Sequence, residues 1–282
     1  MKLVTFEAEG VESYGIVQPG GGIVDAGRRL RTSFPRLEDV LGANEASKLR
    51  TLCDEPPDFT IDTVRLLLPV RPGKVFCVLL NYEHSRLAQG RPKLQYPHIV
   101  TRFADSHVAP GAPLVKPRET SEFDFEGEIA VVIGRSGRRI PESDAFQHVG
   151  GLTAYQDATP RDWMRHTRHF TSAKNFPGTA SFGPWIVTLD GLGDLSQVGL
   201  DVFLNGEVMQ TGRLSDLSFG IEQLIAYVSA FTPLAAGDII ATGTPAGSGY
   251  KRLPPRFLQA GDVVEVAVEG VGTLRSPVAD EA

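Results

Sequence analysis

Residues 122–134 read EFDFEGEIAVVIG, and this stretch restricts the fold more than any other in the chain. Asp124, Glu126 and Glu128 occupy every second position and lead straight into an apolar run. Successive side chains of a strand point to opposite faces, so the three carboxylates share one face, while Phe123, Phe125 and Ile129 take the other. Residues 130–133 read as buried on both faces. Like charges about 6.6 Å apart in low-dielectric surroundings resist ionising together, so a positive charge belongs beside them. The competing reading is a solvated strand face, or an edge strand blunted by charge. The apolar continuation favours a site.

Glu126 and Glu128 can both reach one cation from adjacent same-face positions. Oxygen-only ligands favour a hard ion, Mg²⁺, Mn²⁺ or Ca²⁺, over zinc. Asp157 follows the apolar strand GGLTAYQ and offers a third oxygen from a strand end. Neutralising Glu126 or Glu128 is expected to relieve repulsion, so the metal-free stability should hold or rise.

The rest of the chain sets limits. With 282 residues, 41% hydrophobic and 22% charged, it has an ordinary globular composition. A formal net charge of −6 argues against a nucleic-acid binder. Cys53 and Cys77 carry no metal-finger spacing and suggest a reducing compartment. No apolar stretch approaches the ~18 residues of a membrane span, and the N-terminus lacks a signal-peptide layout. The expectation is a cytoplasmic protein with no nucleic-acid or membrane partner.

Residues 1–70 read as a small N-terminal module, with LVTFE, YGIVQ and GIVDAG as short strands and a helix-compatible stretch at 37–52. Residues 71–282 read as the main domain, rich in strands at irregular spacing, which indicates an α+β fold that is mostly β. A helix is expected at 219–231, with Ser218 as N-cap and Pro233 as its stop. Two AGD phrases, at 236–238 and 260–262, read as similar turns into strands.

Other candidates are weaker. The stretch DATPRDWMRHTRHF holds Arg161, Arg165, His166, Arg168 and His169. It fits a grip on an anionic substrate, but taken singly most of these residues read as a solvated basic surface. By its own evidence Lys174 reads as an exposed lysine. The loop TGTPAGSG at 242–249 is no phosphate-binding P-loop; it reads as a tight turn, or as an anion nest of backbone N–H groups.

Taken in order, KVFCVLLNYEHS, FDFEGEIAVVIG, AYQDATPRDW, AKNF, GPWIVT, LNGEVMQ, AAGDIIATGTPAG and PPRFLQAGDVVEVAVEGVGTLRSPV resemble the motifs of the fumarylacetoacetate hydrolase family. The resemblance runs over roughly residues 65–280. It implies a catalytic domain of rolled mixed β-sheets, usually dimeric, so a homodimer is expected. It also implies a Mg²⁺ or Mn²⁺ site at Glu126, Glu128 and Asp157, with Asp124 flanking it. Lys174 matches a lysine near metal and substrate, Arg161 an arginine that binds the substrate carboxylate, Thr244 the threonine of the GTP-like turn, and Gln210 a recurring polar residue; Thr244 and Gln210 are expected with Arg161 to bind the substrate.

The departure is at NYEHSRLA, 81–88. The family pattern is Asn-Tyr, two residues, His, two residues, Glu, on a lid. Here the His slot holds Ser85, the Glu slot holds Ala88, and His84 lies one position early. A one-residue shift on a helix turns a side chain by ~100°. His84 is nevertheless the lid's candidate base, with Lys174 as the other catalytic candidate. The expected activity is hydrolysis of a C–C bond in a small anionic 2-oxo or 1,3-dicarbonyl acid through a metal-stabilised enolate. The alternatives are an isomerase, decarboxylase or lyase on a related acid, or a metal- and ligand-binding protein with little turnover.

Overall fold

A computed structural model describes residues 1–88 and 90–282, with Ala88 described by its backbone. The fold is α+β and mostly β, as expected. Among the described residues the largest sheet has 12 strands. Its central order runs Lys2–Ala8, Ala180–Val187, Val149–Asp157, Gly127–Ile133, Ile239–Ala241, Val75–Leu79, His98–Arg102. Most neighbours are antiparallel, while Ile239–Ala241 runs parallel to Val75–Leu79, so the sheet is mixed. The first strands extend this same sheet through the Lys2–Ala8 pairing with Ala180–Val187. They also keep a small apolar cluster of their own around Val4, Phe6 and Ile23.

The strand Gly127–Ile133 lies near the middle of the sheet and is buried throughout. Its odd positions, Ile129, Val131 and Ile133, enter a core shared with Val202, Val264, Val266 and Leu274 of a second, 5-stranded sheet. Its even positions, Ala130 and Val132, enter another core with Leu37, Val75, Cys77 and Tyr155. Alternation thus buries the whole strand, and Glu128 carries the parity of the second face. The three acids do not share one continuous strand: Asp124 lies in a separate short strand, Phe123–Asp124, paired with Thr159–Pro160, and Glu126 falls between the two strands. Gly127 is required at its place: an added Cβ would stand 2.2 Å from Val202 Cγ2. The close approach of the two sheets begins there.

The helices depart from expectation in detail. The stretch at 37–52 is not one helix but two, Leu37–Gly42 and Ala46–Arg50. Asn44 between them takes a left-handed φ of 59°, which ends the first. The long helix runs Ile221–Phe231 and buries Ile221, Leu224, Ile225 and Val228. Gly220, not Ser218, holds the N-cap position. The Ser218 hydroxyl instead donates to Glu83 Oε2 at 2.7 Å, which ties this end to the helix Glu83–Ala88. The two AGD turns are alike: Asp238 accepts from Ala235 N–H at 2.8 Å, and Asp262 accepts from Gln259 N–H at 2.9 Å. Among the described residues no helix is long and apolar enough to cross a membrane.

Candidate metal and substrate site

The carboxylate face is enclosed, which removes the reading of a solvated strand. Asp124, Glu126, Glu128 and Asp157 are all buried. Pairing of Gly127–Ile133 with Val149–Asp157 sets the acids side by side, and Asp157 N–H donates to Glu126 O at 2.8 Å. Three buried cations meet them. Lys174 Nζ donates to Glu126 Oε2 at 2.7 Å, to Thr159 Oγ1 at 2.9 Å and to Asp157 Oδ2. Arg161 donates from Nε to Asp124 Oδ2 at 2.8 Å and from Nη2 to Glu126 Oε1 at 2.7 Å. Arg102 donates to Asp157 Oδ1, to Ala158 O at 2.6 Å and to Thr179 Oγ1 at 2.9 Å.

These pairings split the acids electrostatically. Burial pushes Glu126 up, but Arg161 and Lys174 outweigh it and hold its carboxyl below the ordinary value. Burial likewise opposes ionisation of Asp157, and Arg102 and Lys174 reverse the effect. Glu128 differs. Burial first, then the Asp157 charge, raise it well above the ordinary carboxylate range. Its recorded hydrogen bond is from Gly243 N–H to Oε2 at 2.8 Å. Gly243 sits at φ 108°, and a Cβ there would come within 2.9 Å of Val78 O, so only glycine brings that N–H to the acid.

Whether the residues fit a divalent ion follows from donors and charge. Among the described residues no three acidic, cysteine or histidine side chains close on an ion as they stand, because Lys174 is wedged between Glu126 and Asp157. The donor set is all oxygen, which suits Mg²⁺ or Mn²⁺. Four buried carboxylates face three buried cations, which leaves one negative charge over when all are ionised. Glu128 carries that surplus, with no ion pair among the described residues. A buried, unpaired acid next to two others is costly unless a cation joins it. The residues fit.

Glu126 and Glu128 form part of the wall of a cavity of about 320 Å³. Thr244, Pro245, Ala246, Gly247 and Ser248 also belong to that wall, so the TGTPAGSG loop is a cavity-lining surface and not only a turn. Thr244 Oγ1 donates to Gly127 O at 2.9 Å and accepts from Gln210 Nε2 at 2.8 Å. Gln210 is buried and outside the cavity lining, with Nε2 on Pro245 O at 2.8 Å and Oε1 on Gly127 N–H at 3.1 Å. The structure therefore places it as a brace between loop and strand, away from the substrate position the resemblance implied.

Two other expectations need correction. Lys174 is not an exposed lysine but fully buried. On the helix Glu83–Ala88, His84 is exposed and absent from the cavity lining, while Ser85 lines it. The one-residue shift puts the imidazole outside, so His84 is not positioned as the base. The helix leaves its strand at Leu80, which takes a left-handed φ of 57°. Asn81 fixes that bend, donating to Thr242 O at 2.8 Å and accepting from Phe219 N–H at 2.9 Å. In the basic stretch Arg161 is buried, and its guanidinium lies 4.2 Å from the Tyr250 ring centroid. Arg165 instead pairs with Glu122 at the surface, at 2.8 Å.

Sequence reasoning missed Arg102, His98, Arg91 and Lys251. The last three line the cavity, and His98 is the one imidazole among the described residues that does so. Partial desolvation of a side chain that stays solvent-exposed, then the Arg91 charge, hold its pKa below the ordinary value. The strand HIVTRF was legible, but nothing local marks either of its ends as facing a site.

Comparison with known proteins agrees with this geometry. Residues 74–279 match the family model described as fumarylacetoacetate (FAA) hydrolase C-terminal. The mitochondrial oxaloacetate tautomerase fahd2 of Xenopus laevis is 36% identical over 289 residues, covering 99% of this chain and 90% of that protein. The fumarylacetoacetate hydrolase of psychrophilic Exiguobacterium antarcticum superimposes with a TM-score of 0.87 at 32% identity, covering 100% of both chains. The maleylpyruvate hydrolase of Sphingobium sp. SYK-6, in complex with a manganese(II) ion and pyruvate, gives a TM-score of 0.82 at 26% identity, again over 100% of both chains. The motifs, the mixed sheet and these matches coincide: the chain belongs to the fumarylacetoacetate hydrolase family.

Proposed function

We propose that this enzyme interconverts the keto and enol forms of oxaloacetate, with Mg²⁺ or Mn²⁺ held by Glu126, Glu128 and Asp157. The observation that carries the reading is the lid, whose helix brings Ser85 to the cavity where the family pattern has histidine. Hydrolysis needs a base placed to activate a water, the place the family pattern gives to a lid histidine that is absent here, whereas tautomerisation consumes no water and needs only a group that carries one proton from carbon to oxygen. The similarity to an oxaloacetate tautomerase over nearly the whole chain supports the same choice. The isomerase alternative thus moves ahead of the C–C hydrolase. Hydrolysis stays second, favoured by the structural likeness to a maleylpyruvate hydrolase.

In the keto-to-enol direction one proton leaves C3, the C2–C3 bond becomes double, and one proton joins the oxygen at C2. A bound divalent cation supplies Lewis-acid stabilisation of the negative charge that develops during the transfer. His98, neutral near pH 7 because its pKa is depressed, takes the proton from C3 and then gives it to the oxygen at C2, ending neutral again; the reverse direction runs the same two transfers backwards. Lys174 keeps Glu126 and Asp157 in a fixed relation and remains protonated: burial alone would lower its pKa, but Asp157 and Glu126 raise it. Arg161, its Nε and Nη2 engaged by acids, orients Glu126.

The test follows oxaloacetate enol by ultraviolet absorbance with Mg²⁺, Mn²⁺ or EDTA, beside cleavage assays on maleylpyruvate and acylpyruvates. Accelerated exchange that EDTA abolishes, with no cleavage, is expected. A higher kcat/KM for cleavage than for oxaloacetate exchange would put the hydrolase reading in its place.

A further inference from the structure

The cavity wall carries charges of both signs. Glu126 and Glu128 line it, and so do Arg91 and Lys251. Arg91 follows the lid helix and Lys251 follows the loop at 242–249, so two separate segments deliver the two charges. Neither has a salt-bridge partner among the described residues, unlike Arg161, which is held by Asp124 and Glu126. Lys251 Nζ lies 5.3 Å from the centroid of the Tyr250 ring, the same ring that Arg161 contacts. Burial, then the charges of Arg91 and Arg161, hold Lys251 below the ordinary lysine value, with Glu126 acting more weakly in the opposite direction. Arg91 also depresses His98.

Arg91 and Lys251, neither ion-paired among the described residues, repel one another, and an anion settling between them relieves that repulsion. An oxo monoacid whose carboxylate engages the divalent ion leaves Arg91 and Lys251 uncompensated. An oxo diacid has a second carboxylate for them. We propose that Arg91 and Lys251 form the subsite for the substrate's distal carboxylate and select oxo diacids over oxo monoacids. The proposal rests on the oxo-acid reading above and adds to it the residues that read the second charge. Both side chains are solvent-exposed at the cavity mouth, so removing their charges does not endanger the fold.

The test compares oxaloacetate with its 4-methyl ester, which lacks the distal charge, in wild type, Lys251→Met, Arg91→Met and the double variant. The ratio of kcat/KM for diacid over ester is expected to fall about tenfold in each single variant and further in the double, the range for a charged hydrogen bond partly screened by solvent. In wild type the ratio should also fall as salt rises. A ratio unchanged within about twofold in all three variants overturns the proposal and leaves the tautomerase reading intact. If wild type does not exchange oxaloacetate at all, the tautomerase reading fails. The subsite is then judged by calorimetric titration of the Mn²⁺-loaded protein with both ligands. A diacid preference that the variants lose supports it, and equal binding of diacid and ester by wild type overturns it.

Discussion

Arg161 Nε donates to Asp124 Oδ2 at 2.8 Å, and both side chains are buried. The first acid of the alternating trio therefore serves the arginine. Asp124 also accepts from Gly249 N–H at 2.8 Å, which ties the loop end to the same pair. Asp124→Asn should cost about 3 kcal/mol, because it removes one of the two carboxylates that neutralise a buried guanidinium and leaves Glu126 as the other. Adding Arg161→Met should recover part of that loss, with a coupling of about 1–3 kcal/mol in urea unfolding. Strictly additive losses would show that the pair does not act as a unit.

Neutralising either central glutamate was expected from the sequence to leave metal-free stability unchanged or raised. The structure separates the two. Glu128→Gln removes an acid whose ionisation burial and the Asp157 charge oppose, and should hold or raise the melting temperature in EDTA. Glu126→Gln deprives Arg161 and Lys174 of a partner and should cost about 3 kcal/mol. Both variants should bind Mn²⁺ at least about tenfold more weakly by calorimetry. Unchanged affinity in both would remove the metal assignment.

His98 makes a kinetic prediction. Its folded pKa lies below the ordinary histidine value of ~6.5, so the neutral base persists to lower pH. The acid limb of kcat/KM should therefore fall below pH ~6.5. Arg91→Met removes one cause of the depression and should move the limb upward; partial desolvation and the Phe170 ring, 6.0 Å away, remain. His98→Asn should abolish the limb and lower kcat by ~10²-fold or more. A full acid limb in that variant assigns the proton to another group.

His107 makes a stability prediction. Its Nε2 lies 2.9 Å from Tyr155 Oη, and burial, then Arg102, lower its pKa to about 4. The unfolded value is ~6.5, so the folded state favours the neutral ring. That contribution is fully present above pH ~6.5 and is lost as pH falls through the folded value. His107→Phe cannot titrate. Between pH 7 and pH 4.5 wild type should lose about 2 kcal/mol more than the variant in urea unfolding. Parallel losses would place the acid sensitivity elsewhere, with the carboxylates.

The alternating acids were legible because a period of two survives in any sheet, and their burial follows from the apolar run after them. Lys174 was not, because a lone lysine carries the prior of its type, which is surface. Only the chain fold brings Glu126, Asp157 and Thr159 around it. The lid was half legible: the motif located it, but side-chain direction depended on one residue of helical register between His84 and Ser85. Sheet order left no local trace either, since Val131 meets Ile240 and Ile239 meets Val75 across long stretches of chain. The break at Asn44 turned on a single backbone angle.

The Gln210 amide joins Gly127 of the acidic strand to Thr244 and Pro245 of the loop, and Thr244 bonds back to Gly127. Two walls of the cavity are thereby tied into one unit, the acidic strand and the loop. The helix Glu83–Ala88 bounds the cavity from a separate segment of chain, beyond the left-handed turn at Leu80. Substitutions on that segment can reshape the space open to a ligand without moving the acids, so selectivity can drift there while the acidic wall stays unchanged.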